Sequence, residues 1–319
     1  MKTFSFHAMG SKILIAIDTN DTRIMEEVFK ARDWFEEWEE SLSRFRLSSE
    51  LSQFNRRSGI PVKVSETFFE VASLAQNANR YTNGMISPLM LNALEVAGYT
   101  DSFEELINRS DVLPKQINLS LPIEEQMLDL DPLNQTVSIP YGSQVDFGGF
   151  AKGWASHQTM LRLQAFAPVL VDAGGDISVS GPLMDGTSWP IGIADPFNVD
   201  NDLELLSVAK GGVATSGRDY RRWTANNILQ HHIIDTRTQK PADTDVLTAT
   251  VLANTVMEAE MNAKMGMILG SDQGVAWLNS QPDLHYYLVL EDGSRIQSPD
   301  FEMTLWSKLW NPIEQNLSI

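Results

Sequence analysis

The 319-residue sequence contains no cysteine. This absence excludes disulfide bonds, thiolate nucleophiles, thiolate-bound metals and a lipid anchor on an N-terminal cysteine, and it leaves the redox state of the compartment open. Histidine is scarce, with five residues, so a zinc site is not expected. Apolar runs stay short of the roughly 20 residues of a membrane-spanning helix, and the N-terminus lacks the apolar core of a signal peptide. We therefore expect a cytoplasmic protein with no membrane span, or a periplasmic one if a leader has been removed.

Basic residues are also few. The chain has 24 Lys and Arg against 42 Asp and Glu, which gives a net charge of −18. Such a surface repels nucleic acid and anionic lipid, so neither is expected as a partner. An anionic small ligand would need a local positive pocket, which makes individual basic residues informative. Arg44 and Arg46 are two of them, and pairing with nearby carboxylates is the simplest interpretation of both.

The pattern of apolar residues predicts an α+β protein with largely antiparallel sheets and flanking helices. Strand-like runs in the second half follow one another without helices between them, which argues against a doubly wound parallel sheet. The predicted strands cover residues 4–6, 13–17, 136–139, 168–172, 177–180, 191–194, 212–215, 231–235, 247–252 and 284–290. The predicted helices cover residues 22–42, 65–81, 150–166 and 255–269, and Ser48 or Ser49 can cap a further short helix. We interpret residues 99–140, where the pattern weakens, as a surface excursion of a single domain that spans residues 1–319.

The stretch from Asp146 to Lys152 predicts a strand end, a tight turn at Gly148-Gly149 and the start of a helix. An acid before two glycines can accept hydrogen bonds from the backbone of the turn. The glycines permit a ligand to approach closely, and the amides at the start of the helix favour an anion. Lys152 would add a positive charge beside that anion. The alternative is an ordinary strand-to-helix turn with an exposed lysine.

Four further clusters are polar or rich in glycine, at residues 172–176, 214–217, 231–238 and 258–264. The two glycine-bearing clusters each follow a predicted strand, and either one alone is compatible with a structural turn. Several such clusters in one half of the chain are better explained by a shared ligand that carries phosphates and sugar hydroxyls.

Two residue pairs in these clusters allow more than one interpretation. His231 and His232 would point to opposite faces of a strand, so at most one of them enters a given pocket. That residue is a candidate base or phosphate contact, and the alternative is a structural histidine. Glu260 and Lys264 share one face of a predicted helix, where they form an exposed ion pair or, because Met261 and other neighbours are apolar, a partly buried one.

Taken in order, these clusters resemble the motifs of the ApbE family, the FAD:protein FMN transferases. The resemblance rests on six segments that follow one another over most of the chain: residues 8–10 (AMG), 43–55 (SRFRLSSELSQFN), 146–153 (DFGGFAKG), 172–176 (DAGGD), 214–217 (ATSG) and 232–238 (HIIDTRT). It implies an α+β fold with two lobes around a central FAD cleft. It also implies that the FMN part of FAD is transferred to a threonine or serine hydroxyl of a partner flavoprotein, with release of AMP.

The resemblance further implies roles for individual residues. His232 and Lys152 would be catalytic, with His232 helping to activate the acceptor hydroxyl. The residues implied as FAD contacts are Met9, Phe45, Met85, Ile86, Ser87, Asp146, Lys152, Asp176, Thr215 and Ile234. The family's metal position would fall at Gly149, Glu260 and Lys264.

The metal position departs from the family pattern, in which an aspartate and a threonine four residues apart bind magnesium. Glu260 and Lys264 stand in their places. Glutamate can still bind Mg²⁺, although its extra methylene moves the oxygens, but a protonated lysine cannot act as a ligand. The ammonium of Lys264 could take the place of the cation beside Glu260. We therefore expect magnesium to bind weakly or not at all.

An FMN transferase is the function that these motifs favour. Two alternatives stay open, namely a catalytically silent FAD-binding protein and an FAD pyrophosphatase in which water replaces the acceptor hydroxyl.

Overall fold

The computed structural model describes residues 1–108, 112, 115 and 127–306. Its strands are β1 Lys2–Ala8, β2 Ser11–Ile17, β3 Val62–Lys63, β4 Asp129–Asp131, β5 Thr136–Ser138, β6 Val169–Ala173, β7 Asp176–Val179, β8 Trp189–Asp195, β9 Asn198–Val208, β10 Gly211–Gly217, β11 Arg222–Ala225, β12 Ile228–His231, β13 Ile234–Asp235, β14 Lys240–Pro241, β15 Val246–Ala253, β16 His285–Leu290 and β17 Arg295–Gln297. Its helices are α1 Ile24–Phe29, α2 Ala31–Leu42, α3 Glu50–Asn55, α4 Glu66–Tyr81, α5 Leu91–Val96, α6 Phe103–Leu106, α7 Ala151–Leu163 and α8 Val256–Ser280, followed by the 3-10 helix Phe301–Thr304.

An eight-stranded sheet forms the centre of the fold, in the order β1-β2-β6-β7-β10-β15-β16-β17. Every pair of neighbouring strands in this sheet is antiparallel. Smaller sheets are formed by β3-β5-β4, β8-β9, β11-β12 and β13-β14. The predicted α+β class with largely antiparallel sheets is therefore confirmed.

The two faces of the central sheet are covered by different elements. Alternate residues of a strand point to opposite faces, and in β6 Val171 belongs to the main core while Leu170 belongs to a second one. The main core also contains Trp154 of α7 and Ala263 of α8. The second core contains residues of the β8–β9 hairpin, such as Ile191. Helices α7 and α8 thus pack on one face, and the hairpin packs on the other.

Helix starts follow the local sequence closely. Ser49 caps α3 by accepting a hydrogen bond from the amide of Ser52, as expected from the sequence. Ser65 caps α4 in the same way. Thr255 and Glu258 form a capping box at the start of α8. This capping fixes the direction of α8, which carries the Glu260–Lys264 pair.

Several predicted boundaries are wrong. The helix predicted for residues 22–42 is divided into α1 and α2 at Lys30. The strand predicted for residues 231–235 is interrupted after His231, because the chain bends at His232 before β13 begins. The last predicted helix continues to Ser280 across a kink at Gly270, where φ is 75°.

The predicted excursion at residues 99–140 contains α6, β4 and β5. Residues 109–111, 113–114 and 116–126 of this excursion lie outside the described residues. That one domain spans residues 1–319 stays a prediction. Within the described ranges, none of the helices combines the length and the apolar character of a membrane-spanning segment.

Candidate active site

One cavity of about 780 Å³ opens between the start of α7, the first part of α8, the turn after β1 and the turn after β6. It is lined by every residue that the sequence singled out for catalysis, for FAD or for a metal: Met9, Phe45, Met85, Ile86, Ser87, Asp146, Gly149, Lys152, Asp176, Thr215, His232, Ile234, Glu260 and Lys264. A second cavity, of about 820 Å³, lies near the ends of β9 and β15 and is lined by none of them. The structure thus brings the predicted residues together at one site, while the role of each stays a prediction.

The glycine loop before α7 is fixed by Asp146. One oxygen of its carboxylate accepts a hydrogen bond from the amide of Gly148. The other lies 2.6 Å from Nε of Arg44, and both side chains of this ion pair are buried. Asp146 therefore does accept a hydrogen bond from the turn, as the sequence predicts, and it is also tied to a distant arginine.

Arg44 is a residue whose part in the site the sequence did not show. Its guanidinium lies between two aromatic rings, 4.1 Å from the ring centre of Phe45 and 4.5 Å from that of Tyr99. It also donates a hydrogen bond of 2.9 Å to the carbonyl of Tyr99. The sequence predicted pairing with nearby carboxylates, which holds for Arg46, but the partner of Arg44 lies in the glycine loop far along the chain. The only sequence signal for Arg44 was its position beside Phe45 in a chain poor in basic residues.

Lys152 lies in the first turn of α7, and no side chain caps this helix. Its ammonium donates to the carboxylate of Asp176, and both side chains are buried. The alternative of an exposed lysine is therefore wrong. Lys152 faces the cavity with a carboxylate beside it, so its charge is partly compensated before any ligand binds.

Glu260 and Lys264 form the second buried pair of the cavity. Nζ of Lys264 lies 2.9 Å from a carboxylate oxygen of Glu260, and the two side chains are 20% and 6% exposed for Lys264 and Glu260 respectively. The same ammonium donates to the carbonyl oxygen of Gly149. The interpretation as an exposed pair on a helix surface is thus wrong.

Burial is the main cause that raises the pKa of Glu260 to about 7, because it disfavours the charged carboxylate. The nearby carboxylate of Asp176 acts in the same direction. The ammonium groups of Lys264 and Lys152 act in the opposite direction. The surroundings of Glu260 therefore disfavour its charged form, and the two lysines offset part of this effect.

These residues do not fit a magnesium ion. Mg²⁺ prefers six oxygen ligands in near-octahedral geometry. Here the carbonyl of Gly149 and the carboxylate of Glu260 are both occupied by the ammonium of Lys264. Among the residues that the structure describes, no group of three or more His, Cys, Asp or Glu could hold a metal ion.

The two histidines differ in surroundings. Nε2 of His231 lies 3.1 Å from the carbonyl oxygen of Ala242, and His231 is not among the residues that line the cavity. His232 lines the cavity, and its Nδ1 is buried without a hydrogen-bond partner within the described part of the chain. Burial, and next the positive charge of Arg221, lower the pKa of His232 to about 3. One histidine of the pair thus enters the pocket, as predicted, and it is neutral at physiological pH.

Another part of the cavity wall is more apolar. Phe45 is 43% exposed although it is a large aromatic residue. Ile86 is fixed by its backbone, because its amide donates to Oγ1 of Thr82 at 3.0 Å and its carbonyl accepts from Nδ2 of Asn79 at 3.1 Å. Met9 has a φ of 52°. These residues give the site a wall suited to a flat ring system.

Thr215 and the turn at residues 172–176 complete the wall near Lys152. Oγ1 of Thr215 lies 2.9 Å from Oγ1 of Thr250. Gly174 and Gly175 have φ values of 68° and 94°, which few other residues adopt. The amide of Gly175 donates to Asp172 at 2.7 Å, so this turn holds itself in place.

Arg221 is a second residue that the sequence did not single out. One of its terminal nitrogens lies 3.3 Å from the carbonyl oxygen of Gly10 and 3.2 Å from Oγ of Ser11. It therefore links the region after β10 to the turn after β1, at the edge of the cavity. The available signal was a basic residue shortly after the ATSG segment.

The fold of this chain is the one found in solved structures of flavin transferases. The ApbE protein of Thermotoga maritima MSB8 matches it with a TM-score of 0.79 at 24% identity, over 95% of this chain and 99% of that one. The flavin transferase ApbE of Vibrio cholerae matches it with a TM-score of 0.73 at 24% identity, over the same shares of the two chains. At this identity the structural likeness shows the fold alone.

The chain belongs to the ApbE family, whose profile matches residues 9–288. An FAD:protein FMN transferase of Vibrio cholerae is 30% identical over 270 residues, which are 82% of this chain and 75% of the relative. Another of that name, from Klebsiella pneumoniae, is 25% identical over 308 residues, 93% of this chain and 92% of the relative. The resemblance seen in the motifs is therefore confirmed.

Proposed function

We propose that this protein is an FAD:protein FMN transferase, which moves FMN from FAD to a threonine or serine hydroxyl of a partner flavoprotein and releases AMP. The convergence of all predicted residues on one cavity carries the proposal. Membership of the ApbE family supports it, as does the activity named for the curated relatives.

The distribution of charge in the cavity suits the flavin ring and the pyrophosphate of FAD. The apolar wall at Phe45, Met85 and Ile86 offers contacts to the flavin ring. Lys152 and Lys264 lie beside the glycine loop and the start of α7, which favour an anion. The pyrophosphate would lie against these groups, in a chain whose overall charge of −18 would otherwise repel it.

The proposed reaction replaces the phosphoanhydride bond of FAD by a phosphoester bond to the acceptor. The acceptor hydroxyl oxygen attacks the phosphorus on the flavin side of the pyrophosphate. The bond from that phosphorus to the bridging oxygen breaks, and the bridging oxygen leaves with AMP. The hydroxyl proton must be removed as the new bond forms, because a neutral hydroxyl is a weak nucleophile.

His232 is the group that we assign to this proton. A neutral imidazole with an unpaired nitrogen can accept a proton, and Nδ1 of His232 meets this description. Burial is the main cause of its low pKa, and the positive charge of Arg221 lowers it further. A bound pyrophosphate would oppose the effect of Arg221 and so raise the pKa of His232.

The proposed partners are FAD and an acceptor flavoprotein with a modifiable threonine or serine. The net charge of −18 makes nucleic acid an unsuitable partner. The cytoplasm stays the predicted compartment, with the periplasm as the alternative for a chain made with a leader.

Incubation of the purified protein with FAD and a threonine-bearing acceptor, followed by mass spectrometry, tests the proposal. We expect an FMN adduct on the acceptor and one AMP for each adduct. His232→Asn should retain FAD affinity and lose roughly 100-fold or more of the transfer rate. His231→Asn is the matched control, since His231 does not line the cavity. Free FMN with AMP would indicate a pyrophosphatase, and intact bound FAD would indicate a silent binding protein.

A further inference from the structure

The ammonium of Lys264 is held by two oxygen atoms and faces one aromatic ring inside the cavity. It donates to the carbonyl oxygen of Gly149 and to a carboxylate oxygen of Glu260, the latter at 2.9 Å. The ring of Phe150 lies on a further side, with its centre 5.2 Å from Nζ. An ammonium has three donors, so two of them are used here and one is left to face a ligand.

The backbone of the neighbouring helix is shaped to this pair. A Cβ atom at Gly149 would lie 2.6 Å from Nζ of Lys264, and a Cβ atom at Gly153 would lie 2.6 Å from a carboxylate oxygen of Glu260. Glycine at both positions therefore leaves the room that the two charged groups occupy. The Glu260–Lys264 pair is therefore accommodated by two glycines at the contact between α8 and the start of α7.

Each of the two lysines beside the glycine loop has its own carboxyl partner. Lys152 pairs with Asp176, and Lys264 pairs with Glu260. A buried ion pair is weak evidence for stability, because the loss of hydration offsets much of the attraction. Stability alone therefore does not explain why the Glu260–Lys264 pair lies in a ligand cavity.

We propose that Lys264 is the fixed cation of the pyrophosphate site, and that FAD binding and FMN transfer by this chain need no divalent metal ion. This inference rests on the proposed function. The unused donor of Lys264 bonds a phosphate oxygen of FAD, and Glu260 with Gly149 holds the ammonium in position. A fixed charge of this kind supplies the neutralisation that a pyrophosphate needs.

FAD affinity, measured by fluorescence titration in excess EDTA and in excess Mg²⁺, tests the inference on the unaltered protein. We expect the two dissociation constants to agree within about three-fold, because the cation belongs to the chain. A loss of affinity of ten-fold or more in EDTA that Mg²⁺ restores would overturn the inference and leave the proposed transferase standing. An absence of FAD binding under both conditions would overturn the proposed function together with it.

Variants then test the part played by Lys264 itself. Lys264→Thr should weaken FAD binding in EDTA by roughly ten-fold or more, since a charge-assisted hydrogen bond is lost. In the double variant Glu260→Asp with Lys264→Thr, FAD binding should become dependent on Mg²⁺. Lys63→Thr, on exposed strand β3, is the matched control and should behave as the unaltered protein. Unchanged FAD affinity in folded Lys264→Thr would contradict the assignment, and circular dichroism shows whether that variant is folded.

Discussion

Replacement of Arg44 by methionine tests whether one buried ion pair holds the glycine loop of the cavity. Nε of Arg44 lies 2.6 Å from the carboxylate of Asp146, and the two side chains are 7% and 12% exposed. Methionine keeps much of the apolar stem and removes the charge. The carboxylate of Asp146 would then stay buried with the amide of Gly148 but without its cation.

The expected cost follows from this burial. Removing one partner of a buried pair typically costs about 3–5 kcal/mol, because the remaining charge is desolvated without compensation. The slight exposure of Asp146 places the expected loss near the lower end, about 3 kcal/mol. Arg46 offers a control two residues away, because it pairs with Glu36 and Glu39 while its own side chain is 33% exposed. Arg46→Met should therefore cost at most about 1 kcal/mol.

Urea unfolding, followed by tryptophan fluorescence at pH 7, measures both variants. We expect Arg44→Met to be less stable than Arg46→Met by about 2 kcal/mol. Adding Asp146→Asn to Arg44→Met should recover part of the loss, because no unpaired charge remains. Equal losses in the two single variants, or no recovery in the double variant, would show that the Arg44–Asp146 pair does not hold the loop.

Two further outcomes can be checked by unfolding measurements. Gly212→Ala should prevent folding or cost several kcal/mol, because a Cβ atom there would overlap the backbone of Val256. Gly181→Ala should be nearly neutral, because the space around the new atom is open. Urea titrations that give the reverse order of stability would contradict this expectation. The lowered pKa of His232, about 3 against an ordinary 6.5, means that the unfolded chain binds a proton there between these pH values and the folded chain does not. Stability should therefore fall as the pH is lowered from 7 to 5, with about 2 kcal/mol from this residue. His232→Asn should lack that part of the fall, and an unchanged pH dependence in this variant would be evidence against the buried neutral state.

The elements that the sequence predicted well are those with local signals. Ser49 caps the short helix that Ser48 or Ser49 was expected to cap, the helix predicted to start at Ser65 is capped by that residue, and β6 and β15 are rich in apolar and β-branched residues. Strand β9 was missed because its first half is polar. Its pairing with β8 contains register shifts near Ala194, so no regular alternation marks it.

Other prediction errors arose because the residue responsible lies far away in the sequence. Gly270 indicated the end of a helix, yet the helix resumes because Asp245 accepts a hydrogen bond of 2.9 Å from the amide of Ser271. That contact supplies the start of the second part from outside the helix, where no local pattern can show it. The candidate site was likewise predictable only where the signal was local. The motifs identified residues one segment at a time, whereas the pairing of Arg44 with Asp146 depends on the folded arrangement.

The role proposed for Lys264 depends most directly on FMN transfer without a divalent metal. Intact-mass spectrometry of a threonine-bearing acceptor, incubated with this protein and FAD in excess EDTA, measures that transfer. We expect one FMN adduct on the acceptor and an equal amount of AMP. Unmodified acceptor in EDTA, with the FMN adduct formed only after addition of Mg²⁺, would contradict the role proposed for Lys264.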